Sequence, residues 1–175
     1  MKVLPFEKDL PINNKPGTFW EDRADRFHCG IDIYSSVGSE VFCIDSGKVV
    51  DTGVFTSNKM LNYWNKTYFV DVKLDNGLFC RYAEMEKINV KKDDFLKPGD
   101  IIGFVGQVLN KDKIDKNCPK YIQKLAHSDN ISMLHFELYK DRPIDINDSC
   151  YLGGNWFCKD KPDCLLDPLD FLKNK

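Results

Sequence analysis

What most constrains the fold of this chain is a rhythm. Short runs of β-branched and aromatic residues recur at 40–44, 48–52, 68–74, 78–82, 101–105 and 134–139, each cut off by turn-forming residues. Runs this short are strands rather than amphipathic helices, and short connections between them favour antiparallel pairing. Asp45-Ser46-Gly47 and Asp75-Asn76-Gly77 read as hairpin connectors, because Asn, Asp and Gly tolerate the positive φ such turns demand. Lys97-Pro98-Gly99-Asp100 suits a type II turn, with proline fixing φ and glycine taking the left-handed site. The pattern predicts a mostly β fold, an antiparallel sandwich or barrel-like core. Two segments break it and read as inserted surface loops: 107–133, with a short helix predicted over 121–127, and 141–166, which holds Gly153 and Gly154. Asp167 followed by Pro168 predicts an N-cap and first residue of a short C-terminal helix through Phe171 and Leu172.

Size and charge narrow the functional classes. A chain of 175 residues is expected to form one domain, 1–175, with 42% hydrophobic residues supplying its core. Its 25 basic and 27 acidic side chains leave a net charge of −2, with no basic cluster of the kind that grips nucleic acid phosphates. The longest apolar stretches, such as 101–105, fall far below the roughly 20 residues of a membrane span. Residues 1–9 are interrupted by Pro5 and by charge before any signal-type apolar core forms, so a cytoplasmic location is expected if Met1 is the natural start. Seven cysteines, an odd number, leave at least one unpaired within the chain. Cys43 and Cys80 read as small buried hydrophobes, and Cys150, Cys158 and Cys164 are either free thiols or a loop staple, with Cys118 as a further partner.

Only three histidines are present, so their placement is readable. His28 and Asp32 are four residues apart, and on an extended strand those positions share a face. In 133–139, alternation sends Leu134, Phe136 and Leu138 to one face and His135, Glu137 and Tyr139 to the other. Two histidines and an aspartate could fill three corners of a zinc tetrahedron and leave the fourth open, as catalytic sites do. By spacing alone, a histidine on such a half-polar strand is more often a satisfied surface or core residue than a ligand.

Several ordered motifs then resemble the lysostaphin-type zinc endopeptidase family. His28-Cys29-Gly30-Ile31-Asp32 is similar to its His-x-Gly-x-Asp element, followed by Gly38-Ser39-Glu40-Val41 and Asp45-Ser46-Gly47-Lys48-Val49-Val50. Tyr82-Ala83-Glu84-Met85 falls where the family has Tyr-x-His-Leu, and 96–106 resembles its glycine-rich turn region. Leu134-His135-Phe136-Glu137 matches the end of its His-Leu-His-Phe-Glu motif, and 167–172 resembles its closing segment. The resemblance covers a core of about 27–139 plus that tail. It implies an antiparallel β sandwich with a groove, and zinc held by His28, Asp32 and His135. It also implies two further histidines that act on water and on the anionic intermediate, and this chain has Glu84 and Met133 in their places.

That departure governs the functional expectation, because hydrolysis needs a base and an oxyanion donor. Met133 is neither. Glu84 is either a substitute base or a solvated, salt-bridged glutamate, and His127 either folds back to replace a histidine or decorates an exposed loop. Tyr139 and Tyr82 either donate to an oxyanion or pack in the core. The expected function is a zinc-binding, catalytically impaired domain that binds a peptide or peptidoglycan-like ligand. The runner-up is an active endopeptidase with Glu84 as general base, and the third reading is a structural β domain without metal.

Overall fold

The computed structural model describes residue 3, residues 16–128 and residues 131–174. The N-terminal stretch read above for an export signal lies outside these residues except for Val3, as do two residues of the 107–133 segment. The described strands are β1 (Phe27–His28), β2 (Ile31–Tyr34), β3 (Glu40–Phe42), β4 (Gly47–Thr56), β5 (Thr67–Leu74) and β6 (Phe79–Ile88). They continue with β7 (Phe95–Leu96), β8 (Ile101–Val105), β9 (Met133–Tyr139), β10 (Tyr151–Leu152), β11 (Asn155–Trp156) and β12 (Leu165–Leu166). Helix α1 (Lys120–Ala126) lies within the 107–133 segment, and α2 (Pro168–Lys173) closes the chain. The chain is thus mostly β, and no described helix is long and apolar enough to cross a membrane.

Nine strands form one antiparallel sheet, in the order β12-β9-β6-β5-β4-β7, with β2 also on β9 and β8 on both β6 and β3. A small second sheet has the order β1-β11-β10. One buried cluster gathers Ile31, Ile33, Val70, Val72, Tyr82, Leu134, Phe136 and Leu138 with Val41 and Ile102 from β3 and β8. The other face of the large sheet carries Phe55, Phe69, Ala83 and Tyr139, which pack with Ile144, Tyr151 and Leu165. Alternation along β9 places Leu134, Phe136 and Leu138 in the first cluster as expected. On its opposite face His135, Glu137 and Tyr139 are buried as well, because segment 141–166 folds over it.

Turn chemistry is as predicted at Gly77 (φ +89°) and Gly99 (φ +88°), and the amide of Asp100 donates to the carbonyl of Lys97. At Asp45-Ser46-Gly47 the expectation fails: β3 and β4 are not paired with each other, so this is a bend between strands rather than a hairpin. Glycine is needed at 47 for a different reason, since a Cβ there would stand 2.5 Å from the carbonyl oxygen of Lys73 on the neighbouring strand. Asp167 caps α2 by accepting from the amide of Leu169. Cys150 and Cys158 are disulfide-bonded across the β10–β11 hairpin, while Cys29, Cys43, Cys80, Cys118 and Cys164 are free.

Two strands outrun their sequence signals, and the second matters for the site. β4 extends to Thr56, and β6 runs on to Ile88 because Met85 and Ile88 pair with Val105 and Gly103 of β8. Within β6, Ala83 and Glu84 together oppose the single residue Phe69 of β5, which is a β-bulge. Glu84 takes the left-handed conformation there, at φ +65°.

Candidate metal centre and its cavity

His28 and Asp32 do not share one strand. The chain leaves the small sheet after His28 on β1 and enters the large sheet at Ile31 on β2. The crossing is possible because Gly30 presses on β9, where a Cβ would lie 2.3 Å from the Phe136 carbonyl oxygen, and because the amide of Cys29 donates to the carbonyl of Gly154. Asp32 then pairs directly opposite His135. The three side chains converge in spite of the break: His28 Nε2 is 3.1 Å from Asp32 Oδ1 and 3.1 Å from His135 Nδ1, and the latter two atoms are 2.9 Å apart. Among the described residues this is a group whose possible ligand atoms all lie within 4.8 Å of one another.

The outward atom of each histidine is already engaged. His28 Nδ1 donates to the carbonyl of Thr18 (2.8 Å), which leaves Nε2 to point inward with its lone pair. His135 Nε2 donates to Glu137 Oε1 (2.9 Å), which directs Nδ1 inward. Asp32 turns Oδ1 toward the histidines while its Oδ2 accepts from Arg23 Nη2 (3.2 Å), and Arg23 is held in turn by Glu21 and Asn155. Ligands about 2.0–2.1 Å from a tetrahedral zinc ion stand about 3.3 Å apart, so this donor set and its spacing fit zinc. Each ligand carries an orienting partner, the arrangement that fixes ring direction at metal sites.

The charges agree with this arrangement. Burial lowers the His28 pKa, and Asp32 offsets that only in part. Burial opposes the charge on His135 too, yet hydrogen bonds to Asp32 and Glu137 raise it to about 10. The inward proton of His135 is therefore the one a metal ion would displace. Burial would raise Asp32, but the His28 and His135 imidazoles beside it hold it well below the usual carboxylate range.

Behind His135 lies a buried polar network. Glu137 accepts from Tyr151 Oη (2.9 Å) and from Tyr139 Oη, and Arg81 Nη1 approaches its Oε2 at 3.5 Å. Arg81 also donates twice to Asp71, at 2.8 Å each, and to the carbonyl of Ile144. Burial would raise Glu137, but His135 and Arg81 bring it down to about 2. Arg81, Asp71 and Tyr151 were not anticipated from the sequence. For Glu137 the signal was present, since it lies two residues from His135 on the same face of β9.

The triad lies in a cavity of about 520 Å3. Glu84 lines it, half-buried, because the bulge turns its backbone; burial first and the Asp32 carboxylate second push its pKa up to about 8. Met133 lines it as well. So does Tyr34, a tyrosine the sequence did not single out. The other residues weighed as donors lie elsewhere. Tyr139 is fully buried with its hydroxyl spent on Glu137, because the face of β9 that carries it is covered. Tyr82 packs on Phe136 in the core, its oxygen accepting from the amide of Ile44. His127 is exposed at the end of α1 and does not line the cavity, so it does not fold back toward the triad.

Comparison with known proteins follows the same lines. Residues 26–146 match the family model described as Peptidase family M23. Lysostaphin of Staphylococcus simulans is 33% identical over 79 residues, 45% of this chain. Glycyl-glycine endopeptidase ALE-1 of Staphylococcus capitis is 34% identical over 79 residues. The matched stretches span only 15% and 20% of the lengths of those relatives. In structure, the chain is similar to the catalytic domain of lysostaphin from Staphylococcus simulans, with a TM-score of 0.56 and 22% identity over 91% of this chain and 90% of that one. It is similar to LytU at the same TM-score and identity, over 98% of this chain and 90% of that one. At such identity these two likenesses speak for the fold.

Proposed function

The chain belongs to peptidase family M23, and from that premise we propose that it is a zinc-binding, peptidase-type domain whose hydrolytic machinery is impaired. It holds a peptide or peptidoglycan-like ligand in the cavity above His28, Asp32 and His135. The observation that carries this reading is the meeting of three oriented ligand atoms in a cavity also lined by Met133. A thioether neither accepts a proton from water nor donates a hydrogen bond to a developing oxyanion. Zinc, when bound, supplies a Lewis acid that polarises a peptide carbonyl and lowers the pKa of water. The chain's own residues orient the ligands: Thr18 fixes His28, Glu137 fixes His135, and Arg23 fixes Asp32.

One observation favours a second reading, an active endopeptidase. Glu84 lines the same cavity with its pKa raised toward the range where a general base works near neutral pH, and Tyr34, whose side chain carries a hydroxyl, lines it too. Zinc analysis of the purified protein, followed by incubation of the zinc-loaded protein with oligoglycine peptides and with peptidoglycan, separates the readings. The expected result is one zinc per chain, lost in His135→Ala, and no turnover. Turnover abolished both by a chelator and by Glu84→Gln would establish the second reading in place of the first. A chain that takes up no zinc would end both.

A further inference from the structure

On the polar side of the cavity Arg23 bonds Glu21, Asp32 and Asn155, each triad histidine has its partner, and Glu84 and Tyr34 complete the lining. The rest of the lining is an apolar wall, exposed at Tyr121 and Leu125. It is built by Trp64, Leu109, Tyr121, Leu125, Ile131 and Met133. Tyr121 and Leu125, one turn apart on α1, leave 45% and 46% of their surface to solvent, while Ile122 between them is buried and anchors the helix. The wall is held in shape before any ligand arrives. The Arg26 guanidinium lies 5.0 Å from the Tyr121 ring centroid, and a Cβ at Gly153 would come within 2.7 Å of the Trp64 ring. The amide of Asn65 donates to the carbonyl of Val108, which ties the segment after β8 to the β4–β5 connection.

We propose that this wall is a subsite for a bulky apolar side chain, so that the peptide held over the triad carries a leucine- or phenylalanine-sized residue there rather than glycine alone. The inference rests on the metal-site reading above. A glycine chain has no side chain to cover the wall and would leave Tyr121 and Leu125 in water. A leucine or phenylalanine side chain buries against them, and full burial of such a group is worth about ten- to a hundredfold in affinity. Met133 takes part directly: where a histidine would present a polar ring, the thioether extends the apolar surface to the edge of the triad. The residue whose presence impairs hydrolysis therefore also shapes what is bound.

The test uses probes that share one metal-binding group. Zinc-loaded protein is titrated with glycine hydroxamate, leucine hydroxamate and phenylalanine hydroxamate by calorimetry, with zinc content measured alongside. The leucine and phenylalanine compounds are expected to bind about ten- to a hundredfold more tightly than the glycine compound. Leu125→Asp, at an exposed position, and Tyr121→Ala should each reduce that preference, and the zinc content of each variant reports that it is folded. Equal affinity of all three probes for the zinc-loaded wild type would overturn the subsite and leave the metal site standing. A protein that takes up no zinc would remove the metal site and the subsite together.

Discussion

Gly154 offers a way to disturb the triad from behind without touching a ligand. A Cβ at this position would stand 2.5 Å from His135 Nε2 and 2.7 Å from its Cε1. The ring cannot simply retreat, because Phe55 stacks on it with 5.8 Å between centroids. Gly154→Ala must therefore tilt the imidazole, stretch the His135–Glu137 hydrogen bond and move Nδ1 off its meeting point with Asp32. The backbone also objects, since φ is +76°. Gly77 isolates that second cost: its φ is +89° and a Cβ there would meet nothing within 4 Å. Both alanine variants should lose about 1–2 kcal/mol of metal-free stability through the left-handed backbone, and Gly154→Ala more than Gly77→Ala because its clash with His135 is present without metal. Only Gly154→Ala should also lose about ten- to a hundredfold in zinc affinity, the usual effect of disturbing an orienting partner. At saturating zinc this removes a further ~1.4–2.7 kcal/mol of stabilisation. Competition against a chromogenic chelator gives the affinity, and denaturant melts with and without zinc give the stability. If Gly154→Ala binds zinc as tightly as Gly77→Ala, the hold of Glu137 and Gly154 on His135 has been misread.

Further consequences can be measured on the same protein. Zinc at about a hundredfold excess over its Kd should stabilise the fold by about 2.7 kcal/mol, reversed by a chelator and absent in His135→Ala; melts that ignore zinc in the wild type would contradict the site. Asp71→Ala breaks a buried bidentate pair with Arg81 and should cost about 3–5 kcal/mol in urea denaturation, whereas a loss below 1 kcal/mol would mean that Tyr151 and Ile144 suffice to satisfy the guanidinium. Glu84→Gly relieves a left-handed backbone and should stabilise the metal-free protein by about 1 kcal/mol, and an unchanged or lower melting midpoint would show that the side chain is packed more usefully than its exposure suggests.

Much of the architecture was legible because it is local. Strand runs follow from β-branched and aromatic composition, and the turns at Gly77 and Gly99 from residues that accept positive φ. The triad was legible only as candidates: alternation aimed His135 off the Leu134 face, but no spacing rule reveals that His28 and Asp32 reach each other from two different sheets. That convergence depends on Gly30 pressing against Phe136 and on Cys29 bonding to Gly154, contacts between residues over a hundred positions apart. The bulge at Ala83 and Glu84 was equally hidden, since it is fixed by counting residues against Phe69 on the partner strand rather than by anything in β6 itself. Tyr139 stayed open between donor and core residue for a related reason. Its face of β9 is polar in sequence, and only the fold-back of 141–166 decides that it is covered rather than wet.

The division of the ligands between two sheets has a mechanical side. His28 rides on β1, which is bonded to the disulfide-closed β10–β11 hairpin, while Asp32 and His135 belong to the nine-stranded sheet. An ion held by all three is a cross-brace between the two bodies. Without it the hairpin is free to open locally at a cost below that of global unfolding, and with it every such opening must first give up a ligand. Amide exchange in 150–156 should then slow on zinc addition far more than exchange in the β5–β6 ladder, making the small sheet a gauge of metal occupancy in its own right.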